Sequence, residues 1–117
     1  MLHIRPEQMD ALSDYMLWRF KGRMVTHLRK THSKKLQKVP DGELKAMVET
    51  GIERAKKYDV INEGDVQLFI ECMVILGPGF DCDKNFPWAG DILSRKDIDG
   101  QVKMAQISEY LIFSIPE

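Results

Sequence analysis

The sequence predicts an all-α protein, a compact bundle of about five helices forming a single domain over residues 1–117. Three observations predict it. Apolar residues recur at three- and four-residue steps through several long segments; capping residues and Gly/Pro stops punctuate those segments at helical lengths; and no stretch alternates for long enough to require a sheet. A chain of 117 residues is long enough to build a core that folds without disulfide or metal staples.

The first helix is expected from Pro6 to about Thr31. Pro6 suits a first turn, Glu7 and Asp10 suit the positive end of the helix dipole, and Met9, Leu12, Met16, Phe20, Met24 and Leu28 form one slowly turning apolar stripe. Leu17, Trp18 and Val25 broaden that stripe, so the helix either meets more than one neighbour or leaves an aromatic surface exposed. HSKKLQKVPDGE breaks the pattern and reads as a linker with a turn. A second helix follows with Asp41 as its expected N-cap, Leu44, Met47, Val48, Ile52 and Ala55 as its apolar stripe, and Arg54, Lys56 and Lys57 at its negative end. Gly51 weakens its middle.

Asn62 is the expected cap of a third helix, with Glu63 and Asp65 in its first turn and Gly77-Pro78-Gly79 as its stop. Its segment IECMVIL is apolar on most sides, which makes it the central helix of the bundle. Pro87 to Leu93 predicts a short fourth helix, with Trp88 and Ile92 one turn apart. Asp97-Ile98-Asp99 introduces a fifth, read as running through Val102, Ala105, Tyr110 and Ile112 and ending near Ile115-Pro116.

The net charge of −1 hides an asymmetry. From Arg19 to Lys38 there are eight basic residues and no acidic one; from Val39 to Glu117 there are eight basic against fifteen acidic, a net of −7. Such a split either creates a field for an acidic partner or is neutralised within the fold. On an ideal helix Arg19, Arg23, Thr26 and Lys30 share a narrow sector, and Lys34, Lys35 and Lys38 continue the charge into the linker. Trp18 and Tyr15 stand beside them and add a stacking surface. The plainer reading of the same segment is a solvated face.

GPGFDCDKNFPW, residues 77–88, has the spacing of half a calcium loop, with Asp81, Asp83 and Asn85 at alternate positions. Phe86 stands where such a loop needs glycine and Ile92 where it needs glutamate, so the stretch reads instead as a helix stop, a Phe80 anchor and a carboxylate-stabilised turn. His27 and His32 are five apart, off the one-turn spacing of two ligands on one helical face, and the chain has no HExxH, GxSxG or nucleotide-binding glycine motif. Cys72 and Cys82 match neither a zinc pair nor a disulfide scaffold, and reduced thiols are expected. No metal, cofactor or catalytic residue is expected. No secretory signal or membrane span is read from the chain, so a cytoplasmic location is expected.

From Tyr58 to Leu93 the succession YDV, EGDVQLFIE, LGPGFD and PWAGDIL resembles a group of small helical bacterial proteins associated with type VI secretion and polymorphic-toxin gene clusters. The resemblance covers about a third of the chain, rests on packing and turn motifs, and does not extend to the basic first helix. It implies an accessory, immunity or adaptor protein that acts by binding another protein, with no catalytic residue carried over. The expected contact surface is Trp18, Arg19, Arg23, Lys30, Lys34 and Lys35, with Phe80, Asp81 and Trp88 ordering the loop or adding a second patch. The alternative is nucleic-acid or anionic-surface binding through residues 19–38.

Overall fold

The computed structural model describes residues 13–114 and is all-α. In order come α1 (Asp14–Thr31), α2 (Asp41–Lys57), α3 (Glu63–Leu76), a 3-10 turn (Phe80–Cys82), α4 (Pro87–Leu93) and α5 (Gly100–Ser114), with no strand among the described residues. Ser13 is extended, and its Oγ accepts a hydrogen bond from the Met16 amide at 3.2 Å, so α1 opens at Asp14. The expected start at Pro6, with Glu7, Met9, Asp10 and Leu12, lies outside the described residues. Phe20, Met24 and Leu28 are buried as their spacing requires, whereas Met16 at the outer end of the stripe is exposed.

The linker is more ordered than its composition suggests. Leu36 is buried in the core, and the turn around it is held by Arg29 from the last turns of α1. That guanidinium donates to the carbonyls of Leu36 and Val39 and to Asp41 Oδ1 in the first turn of α2. One side chain thus closes the α1–α2 corner. Asp41 is not the cap expected of it: Pro40 occupies that position without a side-chain bond, and Asp41 serves Arg29 instead.

At its other end α2 closes in a Schellman turn. The Val60 amide bonds the Ala55 carbonyl and the Asp59 amide the Lys56 carbonyl, with Asp59 at a left-handed φ of 66°. Asn62 stands at the N-cap of α3, but its amide donates to the Asp65 carboxylate rather than capping the backbone. Helix α3 packs against α1, α2, α5 and the 3-10 turn, burying Val66, Phe69, Ile70, Cys72 and Met73. Gly51 lies where α2 meets α3: a Cβ there would sit 2.6 Å from Ile70 Cγ1 and 3.0 Å from Met73 Sδ. The residue that weakens α2 locally is what lets the two helices approach.

Helix α5 runs through the residues expected of it and turns a different set of side chains to the core. Met104, Ile107 and Leu111 are its core residues, while Val102, Ala105, Tyr110 and Ile112 are exposed, Ile112 at 70%. Lys103 is only 5% exposed; its stem crosses the core edge and its Nζ donates to the Tyr58 carbonyl at 2.8 Å, at the negative end of α2. The Asp99 carboxylate caps α5 by accepting from the Val102 amide. The expected end near Ile115-Pro116 lies outside the described residues.

Gly51→Ala is expected to destabilise the protein by up to about 2 kcal/mol, overpacking against Ile70 outweighing the gain of about 1 kcal/mol in helix propensity. Chemical denaturation measures the sign, and a stabilised variant would contradict this account of the α2–α3 contact.

Candidate functional site

The expected contact residues fall in three places. Trp18, Arg19 and Arg23 line one groove on α1; Lys30 is exposed in the last turn of α1, and Lys34 and Lys35 just past it; and Phe80, Asp81 and Trp88 belong to the 3-10 turn and α4. Twelve residues of helix separate Trp18 from Lys30, about 18 Å along the axis. The basic segment therefore extends well beyond the groove that Trp18, Arg19 and Arg23 line.

The groove has a volume of about 700 Å³ and lies between α1 and the first turn of α2. Trp18 forms one wall, Gly22 and Val25 the floor, and Arg19, Lys21, Arg23 and Lys45 the rim. Trp18 is 64% exposed and stacks on Tyr15, with ring centroids 6.1 Å apart. The Arg19 guanidinium lies 5.9 Å from the Tyr15 ring centre, which holds that charge beside the aromatic pair. Leu17 and Val25 are half-buried against the core, so of the residues that broaden the stripe of α1 it is Trp18 that stays in solvent. The α2 member of the rim, Lys45, was not singled out by the sequence. It is brought in by the Arg29 corner, and no helical spacing within α1 points to it.

Part of the charge of α1 is neutralised by carboxylates of α2 and α3. Lys21 pairs with Glu49 at 3.1 Å, Arg23 with Glu63, and Arg29 with Asp41. Among the described residues, Arg19, Lys30, Lys34, Lys35, Lys38 and Lys45 have no ion-pair partner. His27 and His32 converge through Nε2 on the same Glu71 Oε1, at 3.3 and 3.2 Å. His32 ends α1 outside helical geometry, at φ −125° and ψ 40°, and this is how two histidines five apart reach one carboxylate of α3. Among the described residues, no group of three or more His, Cys, Asp and Glu side chains is arranged to hold a metal ion.

Phe80 and Asp81 point inward, which removes them from any contact surface. Phe80 is fully buried against Phe69, with centroids 5.1 Å apart. Asp81 Oδ1 meets the Arg54 guanidinium, Asp81 Oδ2 accepts from the Tyr58 hydroxyl at 2.6 Å, and Arg54 also donates to the Pro78 carbonyl. Asp83 Oδ1 accepts from the Asn85 amide at 2.8 Å. The two aspartates that gave the loop its calcium-like spacing are thus both engaged within the protein. Trp88 is half-buried and stacks on Tyr110 of α5 at 5.0 Å, where it fastens α4.

Burial, and then the neighbouring charge of Glu71, pushes the Cys72 thiol up to about 12, while Cys82 is exposed beside the Asp81 carboxylate. Comparison of the chain with protein-family models, with curated proteins and with solved structures finds no match. No helix among the described residues is long and apolar enough to cross a membrane.

Arg54→Met is expected to cost about 3–5 kcal/mol, because it leaves Asp81 charged and buried without its cation; adding Asp81→Leu should restore a large share of the loss. A chemical-denaturation cycle that finds the double variant no better than Arg54→Met would refute the pairing. A thiol reagent at pH 8 is expected to modify Cys82 rapidly and Cys72 only on unfolding. Equal rates at both thiols in the folded protein would contradict the burial of Cys72.

Proposed function

We propose that the protein is a non-enzymatic accessory protein of the immunity, adaptor or chaperone kind, which binds another protein through the groove on α1. The observation that carries this reading is the exposed Trp18, stacked on Tyr15 at the wall of a groove rimmed by Arg19, Lys21, Arg23 and Lys45. Tryptophan and arginine beside a concave apolar floor are the residue types on which interface energy concentrates, and a charged rim adds selectivity and speeds encounter. The resemblance of residues 58–93 to proteins of type VI secretion and polymorphic-toxin clusters makes a bacterial toxin or secretion component the partner class in this reading. Meeting such a partner in the cytoplasm belongs to the same proposal.

Binding of nucleic acid or an anionic surface through residues 19–38 is less well supported by the charge distribution. A phosphate backbone rewards many free cations on one face, whereas Lys21, Arg23 and Arg29 already hold carboxylates and the remaining lysines lie at the opposite end of α1 from Trp18.

Copurification from the native host is expected to yield one protein partner in stoichiometric amount, its affinity falling by about 2 kcal/mol or more on Trp18→Ala. Recovery of the protein alone at native abundance would overturn the reading. So would a nucleic acid as the retained species, with binding that collapses between low and physiological salt.

A further inference from the structure

We propose that the α1 groove takes an acidic amphipathic helix of the partner, which seats one apolar side chain directly over Gly22 and sets its carboxylates against Arg19 and Lys45. This rests on the protein-binding reading above and names the chemistry of the bound segment.

Three features of the groove carry the inference. Its floor at Gly22 has no side chain, and among the described residues nothing lies within 4 Å of where a Cβ would be, so a partner's side chain can approach the α1 backbone between Trp18 and Val25. Its rim is cationic: Arg19, Lys21, Arg23 and Lys45 stand against a single carboxylate, Asp41, which Arg29 already engages. Lys21 and Arg23 are held by Glu49 and Glu63, which leaves Arg19 and Lys45, one on each bounding helix, without an ion-pair partner among the described residues. The complement is a ligand that is apolar along one line and negative on both flanks.

The shape selects a helix. The lining of α1 runs from Trp18 to His27, about 14 Å at 1.5 Å per residue, which matches two to three turns of a bound helix presenting anchors three and four residues apart. No strand among the described residues offers an edge to which an extended segment could add. A volume of about 700 Å³ accommodates one large anchor and parts of its neighbours.

The test is selection of a displayed library of random 16-residue peptides on the whole protein, with Gly22→Phe as the counter-selected variant. A Cβ at Gly22 meets nothing among the described residues and replacing a helical glycine favours the helix, so Gly22→Phe should unfold no earlier than the parent, and such a curve separates loss of binding from loss of fold. The expected result is a family of peptides rich in Asp and Glu, with aromatic or aliphatic residues three and four apart. Each should bind at least tenfold more weakly to Gly22→Phe and to Lys45→Glu. Basic or uncharged winners, no enrichment, or equal binding by Gly22→Phe would overturn the inference. A variant lacking residues 1–12 that selects such peptides when the whole chain selects none would also overturn it, by assigning the groove to that segment. If the native partner is retained while Gly22→Phe changes nothing, the protein-binding reading stands and this inference fails, so the two are separable.

Discussion

The buried pairing of Arg54 with Asp81 is the constraint on which the second half of the fold depends. Arg54 comes from α2, Asp81 from the 3-10 turn, and the same guanidinium reaches the Pro78 carbonyl just past the end of α3. Tyr58, at the end of α2, completes the arrangement through its hydroxyl. With the turn held there, Phe80 is driven against Phe69 and α4 is set beside α5 through Trp88 and Tyr110. A buried charge is tolerable only where its counter-charge and hydrogen bonds arrive with it, and here they arrive from the neighbouring helix.

The first half is organised by a different ionic device. Helix α1 is basic, and carboxylates of α2 and α3 fasten it: Lys21 to Glu49, Arg23 to Glu63 and Arg29 to Asp41 as ion pairs, with His27 and His32 both set against Glu71. Among the described residues the cations of this segment left unpaired are Arg19, beside Trp18, and Lys30, Lys34, Lys35 and Lys38, at and beyond the other end of α1. Only the end carrying Trp18 combines free cationic charge with an aromatic wall and a floor lacking a side chain.

The sequence was most legible where one residue type has one dominant local use. Gly77 with φ 121° ends α3, Pro87 opens α4, and Phe80 anchors the loop because the residues around it cannot continue a helix. Helix α5 was legible as a helix, but it carries two apolar stripes, and composition along one helix does not say which faces the core. The buried stripe of Met104, Ile107 and Leu111 is set by α3 and α4, and Lys103 joins it through a carbonyl forty-five residues away. Of the site, Trp18 and Arg19 could be named from local pattern. Gly22 and Lys45 could not, because the groove exists only once Arg29 has turned α2 back along α1. Gly51 illustrates the same limit, being a weak helix residue in sequence and a contact point in space.

The proposed partner-binding face lies on α1 and not on the α4–α5 side, and the two tryptophans report on the two faces. Trp18 is exposed on α1, and Trp88 is half-buried against Tyr110. Oxidative footprinting of the free protein and of its complex with the native partner measures both in one experiment. Strong protection of Trp18 with Trp88 unchanged is the predicted result; protection of Trp88 and Tyr110 with Trp18 still reactive would contradict it.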